Sequence, residues 1–241
     1  MYRNRELGIR DLGSWAVGLG IVASLAVGCA EGPFRQLAAW NPYYSKQWEA
    51  DEQRGPTFHK RIAELKLLQS QAPRLTHEEQ EQYIQKLVGL IQNDSNPVIR
   101  AEAVRALAKF PSPSIIPGFR TATADDDQEV RIAACQAWGQ HPDPEALQAL
   151  ADIVRHDAKL DVRMVATAEL AKFSDPAAVA ALGVALDDHD PALQYRAIQS
   201  LKTCTGEDFG NSVAAWRDFV AGRTPTAEED PSLVERLRQL F

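Results

Sequence analysis

The sequence predicts an all-α fold, an α-solenoid of about four stacked helical hairpins with capping helices. Three observations carry this prediction. A block recurs four times at nearly constant spacing, each block sets its apolar residues on one helical face, and further helix starts fall between the blocks. The blocks read "NPVIRAEAVRALAKF" from Asn96, "DQEVRIAACQAWGQ" from Asp127, "KLDVRMVATAELAKF" from Lys159 and "DPALQYRAIQSLKTC" from Asp190, with starts 31, 32 and 31 residues apart. Each holds an aliphatic residue (Ile99, Val130, Val162, Leu193), an alanine four residues on (Ala103, Ala134, Ala166, Ala197), then a large apolar residue (Leu107, Trp138, Leu170, Leu201). Offsets of four and eight share one face of a helix, and the alanine lets a neighbouring helix approach closely.

The helices between the blocks begin at recognisable caps. In "DPEALQALADIV" and "DPAAVAALGVAL", Asp143 and Asp175 stand at N-cap positions. Pro144 and Pro176 follow at the first helical position, where a missing N–H costs nothing. Upstream, Thr76 and Glu79 have capping-box spacing before "YIQKLVGLI". Two helices per period of about 31 residues make a solenoid.

A second pattern runs through the blocks. Asp94 precedes Arg100 by six residues, Asp125 precedes Arg131, and Asp157 precedes Arg163; the last repeat keeps Asp188 but carries Gln194 in place of arginine. With this pattern the blocks resemble HEAT repeats, in the short bacterial form known from phycobilin lyases. The resemblance covers residues 76–204 well and extends with its flanks to 57–221. It implies that Asp94, Arg100, Asp125, Arg131, Asp157, Arg163 and Asp188 form a structural ladder between adjacent repeats. The physics agrees, because a half-buried carboxylate requires donors and the planar arginine fork serves a carboxylate and turn carbonyls together. An anionic ligand held by the three arginines is the alternative. Gln194 donates as well, without charge.

"LKTCTGEDFGNSVAAWRDFVAG" ends the array. Gly206 and Gly210 break the helix, Phe209 and Trp216 supply apolar surface, and another helix follows, as expected of a terminal cap. A phosphate-binding glycine loop is the sharper reading, but the preceding strand is missing. Residues 222–241 read as a linker followed by a short helix with Leu233, Leu237, Leu240 and Phe241 on one face.

The N-terminus has a different character. "MYRNRELGIRD" carries Arg3, Arg5 and Arg10 and leads into an uncharged run from Leu12 to Gly28, the order of a secretory signal. "LAVG" before Cys29 resembles the bacterial lipobox, in which cleavage occurs directly before a cysteine already joined to diacylglycerol. Residues 1–28 are thus expected to be a lipoprotein signal peptide and Cys29 the site of lipid attachment. Several acyl chains anchor a protein stably where one does not. Two alternatives stay open: plain secretion, or an uncleaved helix of about 28 Å over residues 12–30. Residues 29–56 form a tether in which Trp40, Tyr43, Tyr44 and Trp48 lie within nine residues. These rings suit a partner-binding patch, a cover for the first helix, or a place at the lipid interface.

Composition narrows the function. With 241 residues, 45% of them apolar and 24% charged, the chain has the make-up of a globular protein with a sizeable core. A net charge of −7 argues against nucleic acid, which requires clustered cations. Three cysteines at 29, 135 and 204 make no disulfide framework, and the five histidines show neither H-E-x-x-H nor zinc spacing. His156-Asp157 and His189-Asp190 are the nearest approach to a catalytic or metal constellation, and both fall at hairpin turns. Cys135 occupies the place of Val104, Thr167 and Ile198 in the other blocks, which marks it as core. The expectation is therefore no catalytic residue, metal or cofactor. Instead, an exported, lipid-anchored scaffold binds unnamed proteins on the long curved surface that stacked repeats expose. The expected contacts recur at matching offsets from block to block: Arg105, Lys109, Gln136, Gln140, Lys172, Gln199 and Thr203, with the aromatic tether beside them. A lyase-like or enzyme-assisting protein and an envelope assembly factor are the rival readings.

Overall fold

The computed structural model describes residues 55–225. The expected signal peptide, Cys29, Trp40, Tyr43, Tyr44, Trp48 and the tail apolar residues lie outside that stretch. Ten α-helices, two short 3-10 turns and no strand make up the described residues. They are α1 (Phe58–Gln71), α2 (His77–Asn93), α3 (Pro97–Leu107), α4 (Ile116–Thr123), α5 (Gln128–Trp138), α6 (Pro144–His156), α7 (Leu160–Leu170), α8 (Pro176–Leu186), α9 (Pro191–Thr205) and α10 (Val213–Val220). The chain divides into a unit of residues 1–60 and a larger one of residues 61–241. Of the first, the described part is the start of α1, where Thr57 Oγ1 accepts from the Lys60 N–H at 3.4 Å.

In the larger unit the helices pair as hairpins α2/α3, α4/α5, α6/α7 and α8/α9. Second helices stack on second helices, α3 on α5 on α7 on α9, and make a continuous layer. Between the layers lies the core. The aliphatic, alanine and large apolar positions of all four blocks are fully buried, from Ile99, Ala103 and Leu107 to Leu193, Ala197 and Leu201. Cys135 is fully buried among them.

Capping follows from side chains at the helix starts. Thr76 and Glu79 form a reciprocal capping box on α2. Asp143 caps α6 and Asp175 caps α8, each followed by proline in the first turn. Asn96, Asp127 and Asp190 cap α3, α5 and α9 through their side chains, with proline following at α3 and α9, whereas Lys159 before α7 has no side-chain cap. At α7 the turn is set instead by Asp157, whose carboxylate accepts the Lys159 N–H at 2.8 Å.

The first-helix layer is interrupted at one place. A 3-10 turn, Pro113–Ile115, capped by Ser112, takes up chain before α4, which has only eight residues. A cleft of about 790 Å³ opens beside it, lined by Arg120 and Thr123 of α4 and by Glu145, Gln148, Asp152 and His156 of α6. The Trp138 indole N–H donates to Thr123 Oγ1 at 3.0 Å at the edge of this cleft.

The far end is closed by α10. Gly206, at φ 76°, ends α9 in the left-handed conformation that suits glycine. Phe209 then stacks edge-on to the fully buried Trp216 at 4.9 Å, and Phe219 adds a third ring. Close approach here depends on Gly183 of α8, since a Cβ at that site would lie 2.6 Å from Val220 Cγ1.

Candidate functional site

Four turns between hairpin partners carry the aspartates, and each aspartate does two things. Its carboxylate accepts the N–H two residues on, at 2.8–2.9 Å for Asp94, Asp125, Asp157 and Asp188, which fixes the turn before the second helix. It also receives the arginine of the preceding repeat. Arg100 donates Nε and Nη2 to the two carboxylate oxygens of Asp125, at 2.8 and 2.7 Å, and Nη1 to the carbonyl of Asp94 at 2.9 Å. Arg131 repeats this on Asp157 and the Asp125 carbonyl. Every arginine therefore gives its charge forward to the next repeat and uses its own repeat's aspartate only through the backbone.

The ladder has a first and a last rung. Arg61 of α1 pairs with Asp94, so this one side chain supplies the charge that the arginine of a preceding repeat would supply. At the other end Arg163 reaches Asp188 through Nη2 at 3.2 Å, and its buried Nε finds no acceptor among the described residues. Gln194 donates to the Asp188 carbonyl at 2.7 Å, as an arginine would, and carries no charge beyond it.

Electrostatics follows from this packing. Burial pushes the Asp157 carboxyl up, but hydrogen bonds from Arg131 and from the Lys159 N–H, with the charges of Arg131 and Arg163, outweigh it and hold the group below the usual range. Asp94 and Asp125 are lowered by the same balance, burial again opposing. Arg100 and Arg131 are raised in turn, first by the hydrogen bond to their carboxylate. Arg61, Arg100, Arg131 and Arg163 are thus each paired with one of the four aspartates, so the charge of every rung is answered within the ladder.

The histidine-aspartate pairs are taken up by structure as well. Asp157 is the carboxylate held by Arg131, and Asp190 caps α9 through the Ala192 N–H at 2.8 Å. Burial raises the Cys135 thiol far above its ordinary value, and burial also raises Cys204. Among the described residues no group of three or more His, Cys, Asp or Glu is placed to hold a metal ion, and no helix is long and apolar enough to cross a membrane.

The remaining expected residues share one face. At 100° per residue, positions six and ten after the aliphatic marker lie roughly opposite the core triad. There stand Arg105 and Lys109, Gln136 and Gln140, Lys172, and Gln199 and Thr203; Ala168 takes the first place in the third block. Arg105, Gln136 and Gln199 are half-buried, while Lys109, Gln140, Lys172 and Thr203 are exposed. Lys109 Nζ donates to Gln140 Oε1 at 2.7 Å, which aligns the row from one repeat to the next. Arg105 pairs with Glu102 at 3.3 Å, and Lys172 pairs with Glu169.

Repeating hairpins with a forward Asp-Arg ladder define the architecture, and a comparison with protein families agrees. Residues 84–171 match the family model for HEAT repeats. The matched stretch begins inside α2 and ends just past α7, so it contains most of three hairpins. The fourth lies beyond it yet docks in the same manner, with Ser200 Oγ donating to the Thr167 carbonyl at 2.8 Å. Comparisons with curated proteins and with solved structures find no match.

Arg61 is the ladder residue that sequence reasoning missed. It follows Lys60 rather than an aliphatic residue and lies 33 residues from Asp94, against 25 or 26 for the other rungs, so the block template passes over it. A search for arginines one turn into any helix would have found it.

Proposed function

We propose that this chain is a non-catalytic scaffold that binds other proteins through the solvent face of its stacked second helices. One observation carries the reading: the polar side chains at matching offsets in four successive helices form a continuous row on the side opposite the core. HEAT repeats commonly serve as protein-interaction scaffolds, and the match over residues 84–171 supports the same use here.

The scaffold acts outside the cytoplasm, tied to the cell envelope by lipid on Cys29. The basic start, the uncharged run and "LAVGC" support this part of the reading. A lipid at residue 29 leaves the residues up to about 56, with their aromatic cluster, as the spacer between membrane and array.

Two experiments test it. Cys29→Ser is expected to abolish processing and release the chain from the membrane fraction; unchanged membrane partitioning would sink the anchor. For the binding face, a photo-crosslinking residue in place of Gln199 is expected to capture discrete envelope proteins, and the same residue at Gln148 in the α4/α6 cleft is not. Equal labelling at both sites would remove the reason for choosing this face.

A further inference from the structure

The last first helix, α8, differs from its counterparts. Its sequence, "PAAVAALGVAL", holds no polar side chain over 11 residues, and a helix that is apolar all round belongs in a core. One side is indeed buried, through Ala178, Ala181, Leu182, Ala185 and Leu186. The other side is open. Pro176, Ala177, Ala180 and Val184 are exposed, Val184 by 38%, and Pro176, Ala180 and Val184 make a single stripe at offsets of four and eight. On its solvent side α2 carries Gln82, Gln85 and Lys86, and α6 carries Gln148, Asp152 and Arg155. Those helices meet water with polar groups, whereas α8 meets it with none.

The sequence past the described residues supplies a complement. Arg217 of α10 donates to the Leu186 carbonyl at 2.7 Å, and Val220, three residues on, lies against Gly183, three residues back, so α10 runs antiparallel to α8. The chain leaves α10 by a tight turn at Gly222, φ 69°, where the Gly222 and Arg223 N–H groups donate to the Phe219 and Asp218 carbonyls at 2.9 and 2.8 Å. That exit lies beside the first half of α8. Onward from Thr226 the sequence reads "TAEEDPSLVERLRQLF". Asp230-Pro231 repeats the Asp-Pro start of α6, α8 and α9. Leu233, Leu237 and Phe241 follow at offsets of four and eight, the spacing of the open stripe, with Leu240 beside them. As a helix, Pro231 to Phe241 is about 16 Å long, the length of α8. Residues 226–230 extend about 16 Å, against roughly 8–10 Å between the axes of packed helices. The segment therefore reaches the stripe with chain to spare.

We infer that residues 231–241 form a helix lying on the outer face of α8, with Leu233, Leu237 and Phe241 against Pro176, Ala180 and Val184. Large side chains on one helix meet small ones on the other, which lets the two axes approach closely. This cover closes the first-helix layer at its last repeat. It leaves the polar row of the second helices, in the other layer, free for a partner.

The test uses the full-length chain with Cys29→Ser and Cys204→Ser, so that new thiols stand beside the buried Cys135 alone. Ala180→Cys and Leu237→Cys lie at the middle of the two helices, and a short bis-maleimide is expected to join them within one chain. The yield is expected to exceed that of Gln148→Cys with Leu237→Cys about ten-fold or more. Separately, Val184→Cys is expected to react with a maleimide about ten-fold faster once Leu233→Asp and Phe241→Asp are added, with the far-ultraviolet circular dichroism of the array retained. Equal yields from the two pairs, or no link in either, would overturn the inference, as would labelling of Val184→Cys that the two aspartates leave unchanged. A link that forms only between chains and falls away on dilution would overturn it in favour of a second copy on this face. If the aspartate variant loses its circular dichroism, the crosslinking pairs alone decide, since none of their cysteines replaces a residue of the described core. Every one of these outcomes leaves the scaffold reading of the second helices standing.

Discussion

Arg131→Ala puts the ladder to its hardest test. The Arg131 side chain makes four hydrogen bonds, two to the Asp157 carboxylate at 2.7 and 3.2 Å and two to the carbonyls of Asp125 and Asp126 at 2.8 and 3.0 Å. The two side chains are 14% and 8% exposed. Removing one partner of a buried pair typically costs roughly 3–5 kcal/mol, because the other charge stays buried without compensation. Asp157 keeps the Lys159 N–H and lies near Arg163, which places the expected loss at the lower end, about 3 kcal/mol. Urea denaturation followed by far-ultraviolet circular dichroism measures it. Arg120→Ala is the control: its pair with Glu145 is as short, 2.5 Å, but 66% and 38% exposed, so no resolvable change is expected. Arg131→Lys recovers only part of the loss, since one ammonium cannot hold a carboxylate and two turn carbonyls in a plane. If Arg131→Ala costs no more than Arg120→Ala, the ladder does not stabilise the array and the reasoning fails.

Acid titrates the same rungs. Asp94, Asp125 and Asp157 have folded values below the ordinary value of about 3.9, so their contribution is complete above that value and is lost as pH falls through the lower folded values. The urea midpoint should therefore hold steady from pH 8 to about 5 and drop between roughly pH 4 and 2; a decline beginning above pH 6 contradicts this. Gly183→Ala forces its new methyl against Val220, and a loss of about 1–3 kcal/mol is expected, with the Trp216 emission shifting before the rest of the array unfolds. An unchanged melting profile would show that α8 and α10 do not touch at this point. In a Cys29→Ser background, the Cys135 thiol is expected to stay unlabelled by a thiol reagent in the native state and to react on unfolding. Rapid native labelling of two thiols would contradict its burial.

The hairpins were legible because one geometric demand repeats. Every second helix must bury a marker, an alanine and a large apolar residue on one face, and Ile99, Val130, Val162 and Leu193 announce that demand at steps of 31 and 32 residues. Caps were legible where they rest on one residue and its neighbour, as at Asp143 and Asp175. The hydrogen-bonding direction of the ladder was harder to read. Arg100 and Asp94 are six residues apart in sequence, but the carboxylate that Arg100 grips belongs to Asp125, a contact set by the stacking of repeats. The shortened α4 escaped for a related reason. "PSPSIIPGF" contains three prolines that permit either a helix start or a turn, and packing against α2 and α5 decides between them. The solvent face was visible only as matching polar offsets, since an exposed lysine at a helix end is placed as well by the helix dipole as by a partner.

The forward pairing of the ladder gives the array a direction of growth. A hairpin duplicated anywhere between Arg61 and Asp188 brings one arginine and one carboxylate, and each finds its counterpart in the neighbour that the insertion creates. Length then changes without leaving a buried charge stranded. A hairpin appended after Gln194 meets an amide where its aspartate needs a cation, so lengthening at that end requires a glutamine-to-arginine change as well. Gln194 is in this sense the stop signal of the array, written in one uncharged side chain.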